Sequence, residues 1–419
     1  MIKREIFSKI WEKIDSHEIL LLNGPRQVGK TTLMNQIKEK LITERKVSPE
    51  HIFWFDLEMS EDLLIWSEQT SALSALPIND AVNKYYLFID EFQKSKTIGS
   101  TLKVIHDHYP LIKIIITGSA SWYLNIDESL AGRKRVIPIW PLSFYEFLDL
   151  PKNHKTKILF EAAVKQIKNT AGKTIEIING HLLKYLSYGG YPAVITADAK
   201  AEKEKILSEI INSYILKDIQ LYNYSANTLQ VKKILTLLAD RVGSLLDINN
   251  LALNAGLGRT AMLNRLDLLR NTFILHLLPP YFTNKTKELV KNSKAYLIDS
   301  GLKNRLMDNF SLLPQTKYLG QAAENYILAE LLKKIGDQPT FFYWRTKTGQ
   351  EVDFIIKQDN ELIPIEVKSG NEQNLPNNLR QFITLYKPKT AFLLNWSVVK
   401  DVKFEQCQIK FRPLWFPIF

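Results

Sequence analysis

The stretch Ile19-Leu-Leu-Leu-Asn-Gly24-Pro-Arg-Gln-Val-Gly29-Lys30-Thr31-Thr32-Leu-Met-Asn-Gln-Ile37 runs from an apolar segment through a glycine-bounded loop into a helical pattern. It fits G-x-x-x-x-G-K-[ST] between a strand and a helix, the arrangement that cradles a polyphosphate. Gly24, Pro25, Arg26, Gln27, Val28 and Gly29 make the loop. Its glycines let backbone N–H groups approach phosphate oxygens, and the following helix offers its positive end. Lys30 can reach the outer phosphates, the Thr31 hydroxyl can ligate Mg²⁺, and Thr32 completes the set. The expectation is an α/β chain that binds ATP with Mg²⁺.

Farther along, Tyr85-Tyr-Leu-Phe-Ile89 is a continuous apolar run ending in Asp90-Glu91. Such a run reads as a strand buried on both faces, and its carboxyl end is where parallel α/β sheets bind ligands. Asp90 can hold the Mg²⁺ shell, while Glu91 can orient or deprotonate an attacking water. The alternative is that the pair merely caps the next helix. A third strand, Lys113-Ile-Ile-Ile-Thr117, leads into Gly118-Ser119-Ala-Ser121, where Thr117 or Ser119 can sense a γ-phosphate, or the loop only turns the chain. In Leu130-Ala-Gly-Arg133-Lys-Arg135, an arginine can act as a finger in its own or a neighbouring subunit, or stay a solvated surface charge.

These motifs, together with Pro141-Leu-Ser-Phe-Tyr-Glu146 and Gly189-Gly-Tyr-Pro192, resemble nearly end to end the prokaryotic AAA-type ATP-binding proteins with a conserved C-terminal domain of unknown function. The resemblance implies an AAA+ P-loop ATPase core, a winged-helix-like middle module and a C-terminal restriction-endonuclease-like α/β domain of the PD-(D/E)xK superfamily.

A chain of 419 residues with 45% hydrophobic content has room for two or three domains with cores of their own. No apolar run is long enough for a membrane span, the N-terminus has no signal-like core, and one cysteine, Cys407, excludes an internal disulfide. These features read as cytoplasmic, with Cys407 a structural strand residue. The net charge of +11 is uneven: residues 1–150 carry 18 basic and 20 acidic side chains, residues 151–419 carry 37 and 24. The basic field therefore lies outside the phosphate-loop region and suits a second polyanion, DNA above all, although general solubility would also use it.

Within that basic part, Thr228–Gly243, Ile248–Ala255 and Arg259–Asn271 read as helices, and Phe273–Leu278 and Ala295–Asp299 as strands flanking a wing. This is the order of a winged helix-turn-helix, whose last helix would enter a major groove. Arg259 and Arg270 share a face of that helix, with Arg265 off it. Winged helices also dock proteins, so a protein partner stays open.

Near the end, Glu351-Val-Asp353-Phe-Ile-Ile356 and Glu361-Leu-Ile-Pro-Ile-Glu366-Val-Lys368 read as paired strands joined by the turn 357–360. Period-2 geometry sets Glu366 and Lys368 on one face, and Asp353 can face them. Two carboxylates and a lysine are what metal-assisted phosphodiester hydrolysis needs; a solvated surface pair is the alternative. The spacing resembles D…E-x-K, and Glu324 matches the helix glutamate that assists metal binding in that superfamily. Glu324 shares a face with Ile327, Leu328 and Leu331, and Glu330 falls on the polar side with Lys333 and Lys334.

The resulting division is 1–150 for the P-loop ATPase core, 151–227 for a helical lid and linker, 228–310 for the winged-helix-like module and 311–419 for the nuclease-like domain. The family resemblance places a helix at 208–219 beside the nucleotide. The reading is an ATP-hydrolysing AAA+ protein that acts on DNA, with catalytic candidates Asp90, Glu91, Arg133, Asp353, Glu366 and Lys368 and metal candidates Thr31, Asp90, Glu324, Asp353 and Glu366. The rivals are a nucleotide-dependent switch or a DNA-junction motor whose nuclease-like domain is inactive and binds a partner. A finger supplied by a neighbour would demand a homo-oligomer.

Overall fold

In a computed structural model, which describes residues 2–76, 83–119, 130–213, 228–282, 292–311, 317–335, 341–358 and 361–418, the opening stretch forms β1 (Ile19–Gly24) and the helix Lys30–Arg45. All six residues of β1 are buried, which its unbroken apolar sequence requires. Four more strands, β2 (Ile52–Asp56), β3 (Tyr85–Asp90), β4 (Ile112–Ser119) and β5 (Lys134–Pro138), complete a parallel sheet in the order β2-β3-β4-β1-β5. Alternate side chains divide between its faces: Ile19, Leu21, Leu87, Ile89, Ile114 and Ile116 join one core with Leu102 and Ile105 of the helix Ile98–His108. Helix Lys30–Arg45 buries Leu33, Met34, Ile37 and Leu41, an amphipathic stripe at helical spacing. β1 lies between β4 and β5, so chain order reverses around it, and the carboxyl ends of the strands open a crevice there.

Residues 1–140 with 271–273 form one unit, and residues 141–270 with 274–419 form another. The second contains the helices Thr228–Asp240, Ile248–Ala255 and Arg259–Asn271, followed by the antiparallel pair β6 (Leu275–Leu278) and β7 (Lys294–Leu297). β6 begins two residues later than the apolar pattern suggests. Phe273 takes a left-handed φ of 54°, and the Ile274 amide returns to the Leu269 carbonyl at 3.0 Å, extending the helix end into what reads as strand. The expected wing tip, 283–291, lies outside the described residues, as do Ser121 and the second half of the helix expected at 208–219, of which 208–213 belong to helix Lys200–Ser213. The Gly189-Gly190 turn cradles Asp299: the Gly190 amide donates to Asp299 Oδ2 at 2.7 Å. A Cβ on Gly189, whose φ is +75°, would lie 2.1 Å from Asp299 Oδ1, so this motif is a packing device.

After helix Lys317–Ile335, six strands form a mixed sheet ordered β12-β13-β11-β10-β9-β8: β8 (Phe341–Arg345), β9 (Glu351–Gln358), β10 (Glu361–Val367), β11 (Thr390–Asn395), β12 (Lys400–Phe404) and β13 (Cys407–Pro413). Helix Asn377–Tyr386 lays Leu379, Phe382 and Ile383 on one face of it, against Trp344, Ile355, Leu393 and Phe411. Cys407 is fully buried at the start of β13, where burial pushes its thiol up to about 11. The expected polar side of helix Lys317–Ile335 needs correction. Buried residues from Leu319 to Leu332 encircle most of the helix, so Glu330 is drawn inward, accepting hydrogen bonds from Lys333 (2.8 Å) and the Phe144 amide (3.3 Å). Among the described residues no helix is long and apolar enough to cross a membrane.

Candidate functional site

The crevice beyond β1 is built by backbone first. Gly24 lies so close to β5 that a Cβ on it would stand 2.0 Å from the Ile139 carbonyl oxygen. Gln27 and Gly29 take left-handed φ values of 62° and 90°, which fold the loop over the start of helix Lys30–Arg45. Val28 is buried, and its carbonyl accepts a hydrogen bond from Arg4 Nη1 at 2.8 Å, fixing the loop from behind. Gly29 is the N-cap and has no side chain of its own with which to cap the helix end that anions seek. Lys30 Nζ sits inside the loop, donating to the Gly24 and Pro25 carbonyls at 3.1 and 2.9 Å.

Asp90 ties this loop to the neighbouring strands. Thr31 Oγ1 donates to Asp90 Oδ2 at 2.5 Å, Thr117 Oγ1 donates to Oδ1, and the Glu91 amide reaches Oδ1 at 3.1 Å. Asp90 is 3% exposed. Glu91 stands at the N-cap position of the short turn Phe92–Lys94 without a side-chain capping bond; it holds a left-handed φ of 51°, a conformation costing of order 1–3 kcal/mol for a non-glycine residue. Gln93 Nε2 donates to Glu91 Oε2, and burial raises the Glu91 pKa against the pull of Lys30 and Arg26. Gly118 makes room for this turn: a Cβ there would come within 2.4 Å of the Phe92 ring. Pro25, Arg26 and Thr32 sit in or beside the loop. Ser119 ends β4, with its side chain outside the described residues.

Arg133 does not reach this site within its own chain, a correction to the finger reading in cis. It precedes β5, whose Lys134 pairs with Ile19, at the strand ends opposite the phosphate loop, and Asp107 holds it at 2.8 and 2.9 Å. Arg135 is likewise clamped by Glu18. Strand direction explains both: parallel strands send their amino ends to the edge away from the ligand.

In the second unit, Asp353 and Glu366 come together, with Asp353 Oδ2 accepting from the Val367 amide at 2.8 Å and Lys368 Nζ lying 2.7 Å from Glu366 Oε1. Glu324 is also there, but a cation already stands between the carboxylates. Lys294 Nζ is 3.1 Å from Glu324 Oε1, 2.6 Å from Glu351 Oε1 and 3.9 Å from Asp353 Oδ1. Its side chain is 2% exposed. Tyr296, two residues on in β7 and on the same face, donates its hydroxyl to Glu324 Oε1. Among the described residues no three acidic, histidine or cysteine side chains are placed to hold a metal ion. Lys294, Tyr296 and Glu351 were not legible as site residues; the one available signal was a lysine opening an otherwise apolar strand.

The comparisons agree with the first unit and are silent on chemistry in the second. Residues 16–148 match a family model described as AAA domain, and residues 179–313 and 319–409 match two models described as domains of unknown function. The chain is 26% identical over 388 residues to an uncharacterised protein of Methanocaldococcus jannaschii, covering 89% of this chain and 81% of that one. An uncharacterised protein of Haemophilus influenzae is 26% identical over 380 residues, covering 88% and 86%. Among solved structures, the Aeropyrum pernix ORC2 protein aligns with a TM-score of 0.35 at 12% identity over 78% of this chain and 93% of that one. Caenorhabditis elegans PCH-2 aligns with a TM-score of 0.27 at 13% identity over 62% and 65%. Sequence model and loop geometry together define residues 16–148 as an AAA-type P-loop domain.

Burial, reinforced by Asp353, pushes the Glu366 pKa up to about 8. A carboxyl whose folded pKa is raised contributes stability below its unfolded value that is lost as pH climbs through the folded one. The natural chain is therefore expected to lose stability from pH 5 to pH 8, by at most about 1.4 kcal/mol per pH unit from this group. Glu366→Gln should flatten that slope in denaturation curves followed across the range.

Proposed function

We propose that the chain hydrolyses ATP in its first unit and uses the turnover to act on DNA held by its second. The observation that carries the first half is the arrangement around Asp90, which sets Thr31 and Glu91 on the two sides of one carboxylate beyond a glycine-shaped loop. Thr31 and Asp90 are oxygen donors already in contact, the hard-ligand chemistry that Mg²⁺ prefers. They would hold the ion, which screens phosphate charge when bound. Loop amides, the helix end and Lys30 would bind the phosphates; Glu91, with its pKa raised and its carboxylate fixed by Gln93, would take the proton of the attacking water.

Support for DNA is the basic excess of residues 151–419 and its placement. Arg259 and Arg270 are exposed on helix Arg259–Asn271, while Arg265 between them is half-buried. Lys232, Lys233 and Arg241 add exposed charge nearby in sequence. Three helices followed by an antiparallel strand pair are the elements of a winged helix, which presents such a helix to a groove.

Glu91→Gln should leave ATP affinity within a few-fold of the natural value and lower phosphate release by about 10²–10⁴-fold; unaltered release would remove Glu91 from the reaction. Replacing Arg259 and Arg270 together by alanine should weaken duplex DNA binding and reduce the salt slope of log K by about 2, as read by fluorescence anisotropy between low and moderate salt. An unaltered slope would move the DNA surface elsewhere.

A further inference from the structure

The nuclease resemblance requires a divalent metal among Glu324, Asp353 and Glu366, and the residues present do not fit one. Lys294 enters the cluster from β7, in a hairpin whose strand pairing fixes its depth, while its partners come from helix Lys317–Ile335 and from β9. The ammonium donates to Glu324 and Glu351 within hydrogen-bond distance and faces Asp353 at 3.9 Å. Tyr296 adds a neutral donor to Glu324 from the same strand face. Gly243 closes the other side: a Cβ there would come within 2.8 Å of Glu324 Oε2. A divalent ion bound to the same carboxylates would crowd a buried like charge, the Lys294 ammonium, whose side chain is 2% exposed.

We infer that Lys294 Nζ is the resident cation of this acidic cluster, standing in for a divalent metal, and that these carboxylates take up no metal ion in the natural chain. The ammonium supplies the positive charge that keeps Glu324, Glu351 and Asp353 together. The cluster then serves to fasten the β6–β7 hairpin to the terminal sheet, and metal-assisted phosphodiester cleavage does not take place there. The inference is independent of whether the chain binds DNA.

The test is Mn²⁺ binding by the full chain without nucleotide, counted by electron paramagnetic resonance, in four proteins: natural, Asp353→Asn, Lys294→Ala and Lys294→Ala with Asp353→Asn. Expected is the same Mn²⁺ count for the natural chain and Asp353→Asn, since any ion taken by the P-loop region is common to both. Lys294→Ala should gain one ion per chain and lose it again in the double variant. Its lowered Tm should recover by about 5 °C in Mn²⁺ at a hundred times Kd. Mn²⁺ binding by the natural chain that disappears in Asp353→Asn would overturn the inference. So would a folded Lys294→Ala that gains no ion. If Lys294→Ala does not fold, the comparison of the natural chain with Asp353→Asn decides alone, and Lys294→Arg, which keeps the charge, should fold and match the natural count.

Discussion

One carboxylate organises the first unit. Asp90 accepts a hydroxyl from Thr31 at the head of helix Lys30–Arg45 and another from Thr117 in β4, while projecting from the end of β3. Three elements distant in sequence are thereby pinned at one point of the sheet edge. Hydrogen bonds to a charged group contribute about 1.5–3 kcal/mol each, and removing them would leave a charge buried without compensation. Geometry elsewhere in the site follows from this anchor. The chain turns left-handed immediately after it, at Glu91, and Gly118 leaves space for Phe92 and Gln93 to complete the turn. The strain at Glu91 is held because Asp90, Thr117 and Gln93 all bond to its amide or its side chain.

How much of this can be read without coordinates depends on whether the determining forces are local. β1, the loop and the helix after it depend on glycine spacing and unbroken apolar runs, and the helix Ile248–Ala255 stops where Gly256 stops it; these are legible in the chain, whereas the left-handed turn at Phe273 is not. The order of strands is not, because parallel pairing joins residues far apart, such as Leu22 with Thr117. Nor is the edge to which Arg133 belongs, since that depends on strand direction and on Asp107, 26 residues away. Glu330 shows a further limit: periodicity locates the most apolar face, but a helix packed on several sides draws the remaining residues partly inward too.

The acidic cluster of the second unit shows the same contrast. Asp353, Glu366 and Lys368 follow from strand alternation, a local rule, and they lie together in the sheet. Lys294 could not be found that way, because its meaning comes from three partners between 30 and 59 residues downstream. An internal ion pair of this kind is costly to bury and costly to break. It therefore constrains the hairpin, the helix and the sheet together, much as Asp90 constrains the P-loop unit.

The central claim is that Asp90 assembles a site for a magnesium–nucleotide complex. Its most direct test is the ratio of ATP affinities in excess Mg²⁺ and in EDTA, measured calorimetrically for the natural chain and for Asp90→Asn. The account expects a large ratio for the natural chain and a ratio near unity for the variant, with the fold intact by circular dichroism. An equal, large ratio in both would contradict it.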